Sequence, residues 1–211
     1  MNTYSRDYQD LFVCLMTNKK NYGTYVEIGA NHPVKGNNTY LLEKDFFWTG
    51  VSIEISQEMC DIFKQQRKNR IVCADATTLD YKKIFEEEKL PNEIDYLQVD
   101  CEPALATFKS LKQIPLDLYK FSIITFEHDN YNYKQDQEDF SVRQMSREYL
   151  SKFGYVMIAD DMSCRGQDDK PFEDWWIYPE LIDADIIKKF IEVNGVSKEV
   201  GSYVLKRMKG D

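Results

Sequence analysis

The sequence predicts a doubly wound α/β domain: a seven-stranded, mostly parallel sheet with helices on both faces. Three observations lead there. Short apolar or β-branched runs alternate along the chain with segments of helical periodicity. The first run, Thr24 to Ile28, breaks on Gly29-Ala30-Asn31, as a strand does on entering a tight turn. The second, Trp48 to Ile53, ends on an acidic residue, Glu54. In such a sheet a small-residue turn passes beneath a nucleoside, and a carboxylate at the end of the second strand accepts from the two ribose hydroxyls.

The elements follow in order. Tyr4, Tyr8, Leu11, Phe12, Leu15 and Met16 recur at helical spacing and predict an N-terminal helix over about 3–17. Ser56 is placed to cap a helix that buries Met59, Cys60, Ile62 and Phe63. Arg70 to Ala74 is the third strand, ending on Asp75, and Asp95 to Val99 the fourth. Pro103 suits the first turn of the next helix, where a missing amide costs nothing. That helix buries Ala104, Leu105, Phe108 and Leu111, and Pro115 follows it. Phe121 to Phe126 is the fifth strand, a polar helix spans about 135–150, and Tyr155 to Ala159 is the sixth strand. A helix over about 179–193 carries Ile182, Ile186, Ile187, Phe190 and Ile191 on one side, and Val200 to Arg207 is the expected last strand. With no repeat, low-complexity stretch or linker, the chain reads as one domain, 1–211, its core from about residue 22.

The glycine turn is not a dinucleotide fingerprint. A G-x-G-x-x-G would set bare amides at a helix start to receive a pyrophosphate. Here Ala30-Asn31-His32-Pro33 follows Gly29, and the next glycine is Gly36. A nucleoside without phosphates fits better, and S-adenosylmethionine is the common one. The plainer reading is a β-turn glycine beside a surface glutamate.

Val26-Glu-Ile-Gly-Ala-Asn-His-Pro33, Asn37-Asn-Thr-Tyr40, Trp48-Thr-Gly50 and Ile53-Glu54 together resemble the FkbM-type family of S-adenosylmethionine-dependent methyltransferases. Ile94-Asp-Tyr-Leu-Gln-Val-Asp-Cys-Glu-Pro103 resembles that family's fourth-strand motif, and the likeness runs from about Tyr22 to Asp161. There are two departures: Ile55 stands where proline is usual, and Pro103 where glycine is. The resemblance implies the Rossmann-like methyltransferase variant of the fold, with its last strand antiparallel. It implies that Glu54 holds the ribose, followed by Ile55, and that Asp75-Ala76 flank the adenine. Glu27, Gly29, Ala30, Asn31, Thr39 and Asp100 are the remaining cofactor candidates, with Asp100 receiving the ammonium group of the methionine moiety.

Composition bounds the partners. The chain has 211 residues, 43% hydrophobic and 30% charged, ordinary for one globular domain. A net charge of −9 argues against a nucleic-acid substrate, which needs a basic face. No apolar run approaches the ~20 residues of a membrane span, and the N-terminus shows no signal-peptide pattern. Five cysteines without close pairs fit a reduced, cytoplasmic setting. Cys14, Cys60 and Cys73 read as buried side chains, and Cys101 as a pocket-lining group with no histidine adjacent in sequence to activate it.

Strand-end acids mark the ligand edge: Glu54, Asp75, Asp100, Glu102, Glu127, Asp129, Asp160 and Asp161. Both histidines also fall there. Removing a hydroxyl proton suits a base with pKa near neutral, so His128 is the first candidate and His32 the second, with Asp100 beside them; either histidine also reads as a hydrogen-bonded loop group. Asp100, Asp160 and Asp161 offer hard oxygens for Mg²⁺, which could bind two acceptor oxygens; the resemblance lends the ion some support, because related sugar O-methyltransferases include metal-dependent members. The aromatic run Pro171 to Pro179 is expected as a flap whose rings stack on a sugar. The expectation is O-methylation of a sugar or glycan hydroxyl. The alternatives are another small-molecule acceptor, or a catalytically silent cofactor-binding accessory module. A second copy of the chain is the candidate protein partner.

Overall fold

The computed structural model describes residues 2–135, 137–163 and 170–194. Seven strands form one sheet: β1 (Thr24–Ile28), β2 (Thr49–Glu54), β3 (Arg70–Cys73), β4 (Glu93–Val99), β5 (Lys120–Glu127), β6 (Val156–Ser163) and β7 (Pro171–Ile177). Their order is β3-β2-β1-β4-β5-β7-β6. β7 runs antiparallel to both its neighbours; the other pairings are parallel. The helices are α1 (Gln9–Met16), α2 (Tyr40–Phe46), α3 (Gln57–Gln66), α4 (Tyr81–Glu87), α5 (Ala104–Gln113), α6 (Val142–Lys152) and α7 (Ala184–Asn194).

Strand alternation sorts side chains to the two faces. Val26, Ile28, Leu97, Val99 and Phe126 pack with Phe85 of α4, Leu111 of α5 and Leu150 of α6. Tyr25, Tyr96, Ile123 and Trp175 pack on the other face with Phe12 of α1, Leu41 of α2 and Phe190 of α7. Trp175 stacks on Phe12 at 4.3 Å between ring centroids. Ser56 caps α3, accepting from the Met59 amide at 3.4 Å.

The seventh strand differs from expectation. Val200 to Arg207 lies outside the described residues, and the aromatic run expected as a flap is itself β7. Its two acids are each partnered. Asp174 receives two bonds from Arg147 of α6, at 2.8 and 2.7 Å, and Glu173 accepts from Gln9 and from the Trp175 indole. Pro171 opens the strand, a position that asks nothing of the missing amide. Two helices are shorter than expected, because single 3₁₀ turns at Glu138–Ser141 and Pro179–Leu181 precede α6 and α7. The N-terminal helix begins only at Gln9: the Asp10 carboxylate gathers the Tyr4 and Ser5 amides and the Thr3 and Ser5 hydroxyls, folding residues 3–5 back. Pro103 sits at the N-cap of α5, one residue ahead of its expected place.

Candidate active site

The carboxyl ends of β1, β2 and β4 meet around Gly29. Gly29 adopts φ +79, and a Cβ there would lie 1.6 Å from the Asp100 carbonyl oxygen. Its amide and that of Ala30 both donate to the Ile53 carbonyl, at 2.9 and 3.0 Å, and the Asp100 amide donates to Ile28 at 3.0 Å. Glycine is required here because backbone occupies the space a side chain would need.

Two cavities open on this turn. The first, about 480 Å³, is lined by Glu54, Ile55, Met59, Asp75, Ala76 and Cys101 among others. Glu54 is 9% exposed. One of its oxygens accepts from the Asn31 amide and the other from the Ser56 amide, both at 2.7 Å. A carboxylate has about four acceptor positions, so each oxygen keeps one for a ligand hydroxyl. Ile55, 71% exposed, offers an apolar face beside Met59. Asp75 accepts from the Thr77 amide and hydroxyl, which hold its carboxyl below the usual range.

The second cavity, about 310 Å³, lies beyond Gly29 and is lined by Glu27, Asn38, Gln98, Glu127, Asp129 and Arg6, with Tyr131 and Phe172 closing it. The Ser5–Gly36 bridge ties the N-terminal segment to the loop after β1, and Arg6 and Gly36 both line this cavity. Gly29, Asn31, Asp100 and Glu102 line both cavities, so the two form one cleft with a shared wall. Burial pushes the Asp100 carboxyl up to about 6, against a lowering hydrogen bond from Glu127. Burial, then Asp129, pushes Glu102 up to about 7. Burial and the Asp100 charge raise Glu127 well above the carboxylate range.

No family model matches the chain, and no curated protein matches it. Solved structures do. A Staphylococcus aureus protein provisionally named as a caffeoyl-CoA O-methyltransferase aligns over 83% of this chain and 85% of its own, with TM-score 0.55 and 16% identity. The O-methyltransferase of Bacillus cereus in complex with S-adenosylhomocysteine aligns over 80% of each chain, with TM-score 0.51 and 15% identity. A TehB-like SAM-dependent methyltransferase from Corynebacterium glutamicum covers 81% of this chain and 86% of its own, with TM-score 0.50 and 10% identity. The fold is that of the class I methyltransferases.

On this methyltransferase fold the predicted residues separate into three sets. Glu54, Ile55, Asp75, Ala76, Gly29, Asn31 and Asp100 line the larger cavity, and Glu27 and Ala30 line the smaller. Thr39 lines neither. It is fully buried, and its hydroxyl accepts from Arg67 and bonds to Asn37. The histidines form the second set, and neither faces the cleft. His128 is fully buried, its Nδ1 accepting from the Asn130 amide and its Nε2 lying 3.5 Å from Asp174 and 3.8 Å from Asp161. Its place on the α6 side of the sheet follows from β7, which brings Asp174 up against it. His32 folds onto its own turn, Nδ1 accepting from the Val34 and Lys35 amides at 3.1 Å.

The third set is the expected metal triad, which the fold does not assemble. Asp161 is taken by Arg143 and Arg147, and Asp100 belongs to the cleft. The potential ligand side chains that converge among the described residues are His128-Asp161-Asp174 and Glu102-Glu127-Asp129. Asp100, Asp160 and Asp161 therefore do not fit an ion together. Cys101 does line the larger cavity, and burial pushes its thiol up to about 12, so it stays protonated and inert.

Two functional features had little sequence signal. Arg67 follows α3 as an ordinary basic residue, yet it is buried and donates to Glu43, Asn37, Thr39, Tyr25 and the Pro33 carbonyl, fixing the loop that walls the cleft. Gln98 sits near the carboxyl end of β4 opposite Glu27, where only the register of β1 against β4 shows that it reaches the smaller cavity.

Proposed function

We propose that this chain is an S-adenosylmethionine-dependent methyltransferase acting on a hydroxyl of a sugar or glycan. The observation that carries the reading is the Glu54 carboxylate, held by two backbone amides at the end of β2 with one acceptor position free on each oxygen. That geometry fits adjacent ribose hydroxyls, and the exposed Ile55 face beside it fits a flat base. Asp100 is the partner for an ammonium group across the Gly29 turn. The cofactor, when bound, supplies an electrophilic methyl group. The chain supplies position, exclusion of water and a proton acceptor. The acceptor oxygen enters from the smaller cavity, where the FkbM resemblance supports a carbohydrate. Glu102 is the group on the shared wall suited to take its proton, since its carboxyl ionises near neutrality.

Glu54→Ala should weaken S-adenosylmethionine by roughly 1.5–3 kcal/mol in calorimetry, the worth of hydrogen bonds to a charged group. Unchanged affinity would remove the basis of the reading.

Base function gives a second test. With Glu102 as the base, kcat/KM should rise with pH through about 7 as the carboxyl loses its proton, then level off. Glu102→Gln should lower kcat by about 10²–10⁴ and flatten that rise while cofactor affinity holds. His128→Gln should keep the profile of the parent protein. A profile that survives in Glu102→Gln and disappears in His128→Gln would return the role to the histidine.

A further inference from the structure

Resting on the methyltransferase reading, we infer that the smaller cavity selects an acceptor carrying a protonated amine beside its hydroxyls, of the amino-sugar class. Two independent features point the same way. The first is a surplus of hydrogen-bond acceptors without donors. Gln98 is 2% exposed and Asn38 is 8% exposed, and the side-chain oxygen of each is buried without a hydrogen-bond partner. Both residues line the cavity. A buried polar oxygen left unmet is destabilising, and a ligand N–H or O–H recovers that loss on binding.

The second feature is charge. Six acidic side chains line the cavity, from Asp7, Glu27, Asp100, Glu102, Glu127 and Asp129; with Asp100 assigned to the cofactor's ammonium group, five remain against the two cations Arg6 and Lys35. Of these acids, Asp100 faces Glu127 of β5, Asp129 after β5, Glu27 of β1 and Arg6 of the N-terminal segment. Arg67 offsets Glu27 from behind, through the loop it holds. A cation placed against Glu127 and Asp129 relieves the repulsion between these crowded acidic side chains. A neutral sugar satisfies the amide oxygens but not the charge, and an anionic sugar is repelled. An ammonium group with neighbouring hydroxyls meets both requirements. With Glu54 and the Ile55 face assigned to the nucleoside in the larger cavity, the smaller one is free for this second ligand.

The test is binding of glucosamine, N-acetylglucosamine and glucuronate to the full chain saturated with S-adenosylhomocysteine, followed by methyl transfer from isotope-labelled S-adenosylmethionine to each. Glucosamine should bind at least tenfold more tightly than N-acetylglucosamine, which has the same ring without the charge, and glucuronate should not bind. Asn38→Leu, on a loop, should reduce glucosamine affinity several-fold with thermal stability held. Gln98→Met should do the same, and Asn38→Asp should widen the preference for the amine. Equal binding of the amine and its N-acetyl form, a preference for glucuronate, or no binding of any of the three would overturn the proposal. If S-adenosylhomocysteine fails to bind but the amine preference persists, the cofactor reading falls and the cavity assignment stands.

Discussion

Gly29→Ala should cost the protein at least ~4–5 kcal/mol, a loss in the range reserved for backbone conflicts in a packed core. Two effects combine. A non-glycine residue at φ +79 carries about 1–2 kcal/mol of its own strain. The added Cβ also meets the Asp100 carbonyl oxygen at 1.6 Å, and that oxygen belongs to backbone that cannot swing aside like a flexible side chain. Relief requires β1 and β4 to part at the point where the Asp100 amide bonds to Ile28. Denaturant unfolding monitored by tryptophan fluorescence measures the loss. A Gly29→Ala protein of near-parental stability would show that the turn can relax, and would remove the close approach from the account of the cleft.

Arg67→Met is expected to be nearly as severe, at roughly 3–5 kcal/mol, because removing one partner of a buried ion pair strands the other. The Arg67 side chain is fully buried, 2.7 Å from Glu43, and donates to four further oxygens, those of Pro33, Asn37 and Thr39 in the loop after β1 and the Tyr25 hydroxyl of β1. Methionine keeps most of the volume and none of the bonds. Glu27 loses its offsetting charge at the same time, and its carboxyl, already raised by burial, rises further. Adding Glu27→Gln to Arg67→Met should therefore recover part of the stability, whereas Glu27→Gln alone should not stabilise to the same extent. A double-mutant cycle on thermal unfolding reads this coupling. Strict additivity would separate the two residues.

Six of the seven strands were legible because their apolar runs are continuous and bounded by turn residues. Glu54 was legible because it closes such a run after a glycine turn. β7 was not, since Phe172-Glu173-Asp174-Trp175 puts two acids into a strand; only partners far away in sequence, Gln9 and Arg147, make their burial tolerable. The same non-local pairing turned His128 away from the cleft. In sequence it stands between two acids at a strand end, as a base would. In space Phe172 accepts from its amide at 2.7 Å and its ring Nε2 lies 3.5 Å from Asp174. Gln98, Asn38 and Arg67 carry no local pattern at all. Their roles arise from register and loop closure, which a linear sequence does not display.

The position of β7 bears on how the chain can be made. A ribosome delivers β5 and β6 before β7, yet in the finished sheet these two strands never touch, since β7 lies between them. Until residue 177 has emerged, β5, with its six central residues buried in the final structure, must wait as an unpaired edge. The nascent chain can complete β3-β2-β1-β4-β5 early, but its last pairings close only when the Phe172–Trp176 stretch slots home. A chain halted before Pro171 would present that open edge to its neighbours, making premature termination here a route to aggregation rather than to a smaller working domain.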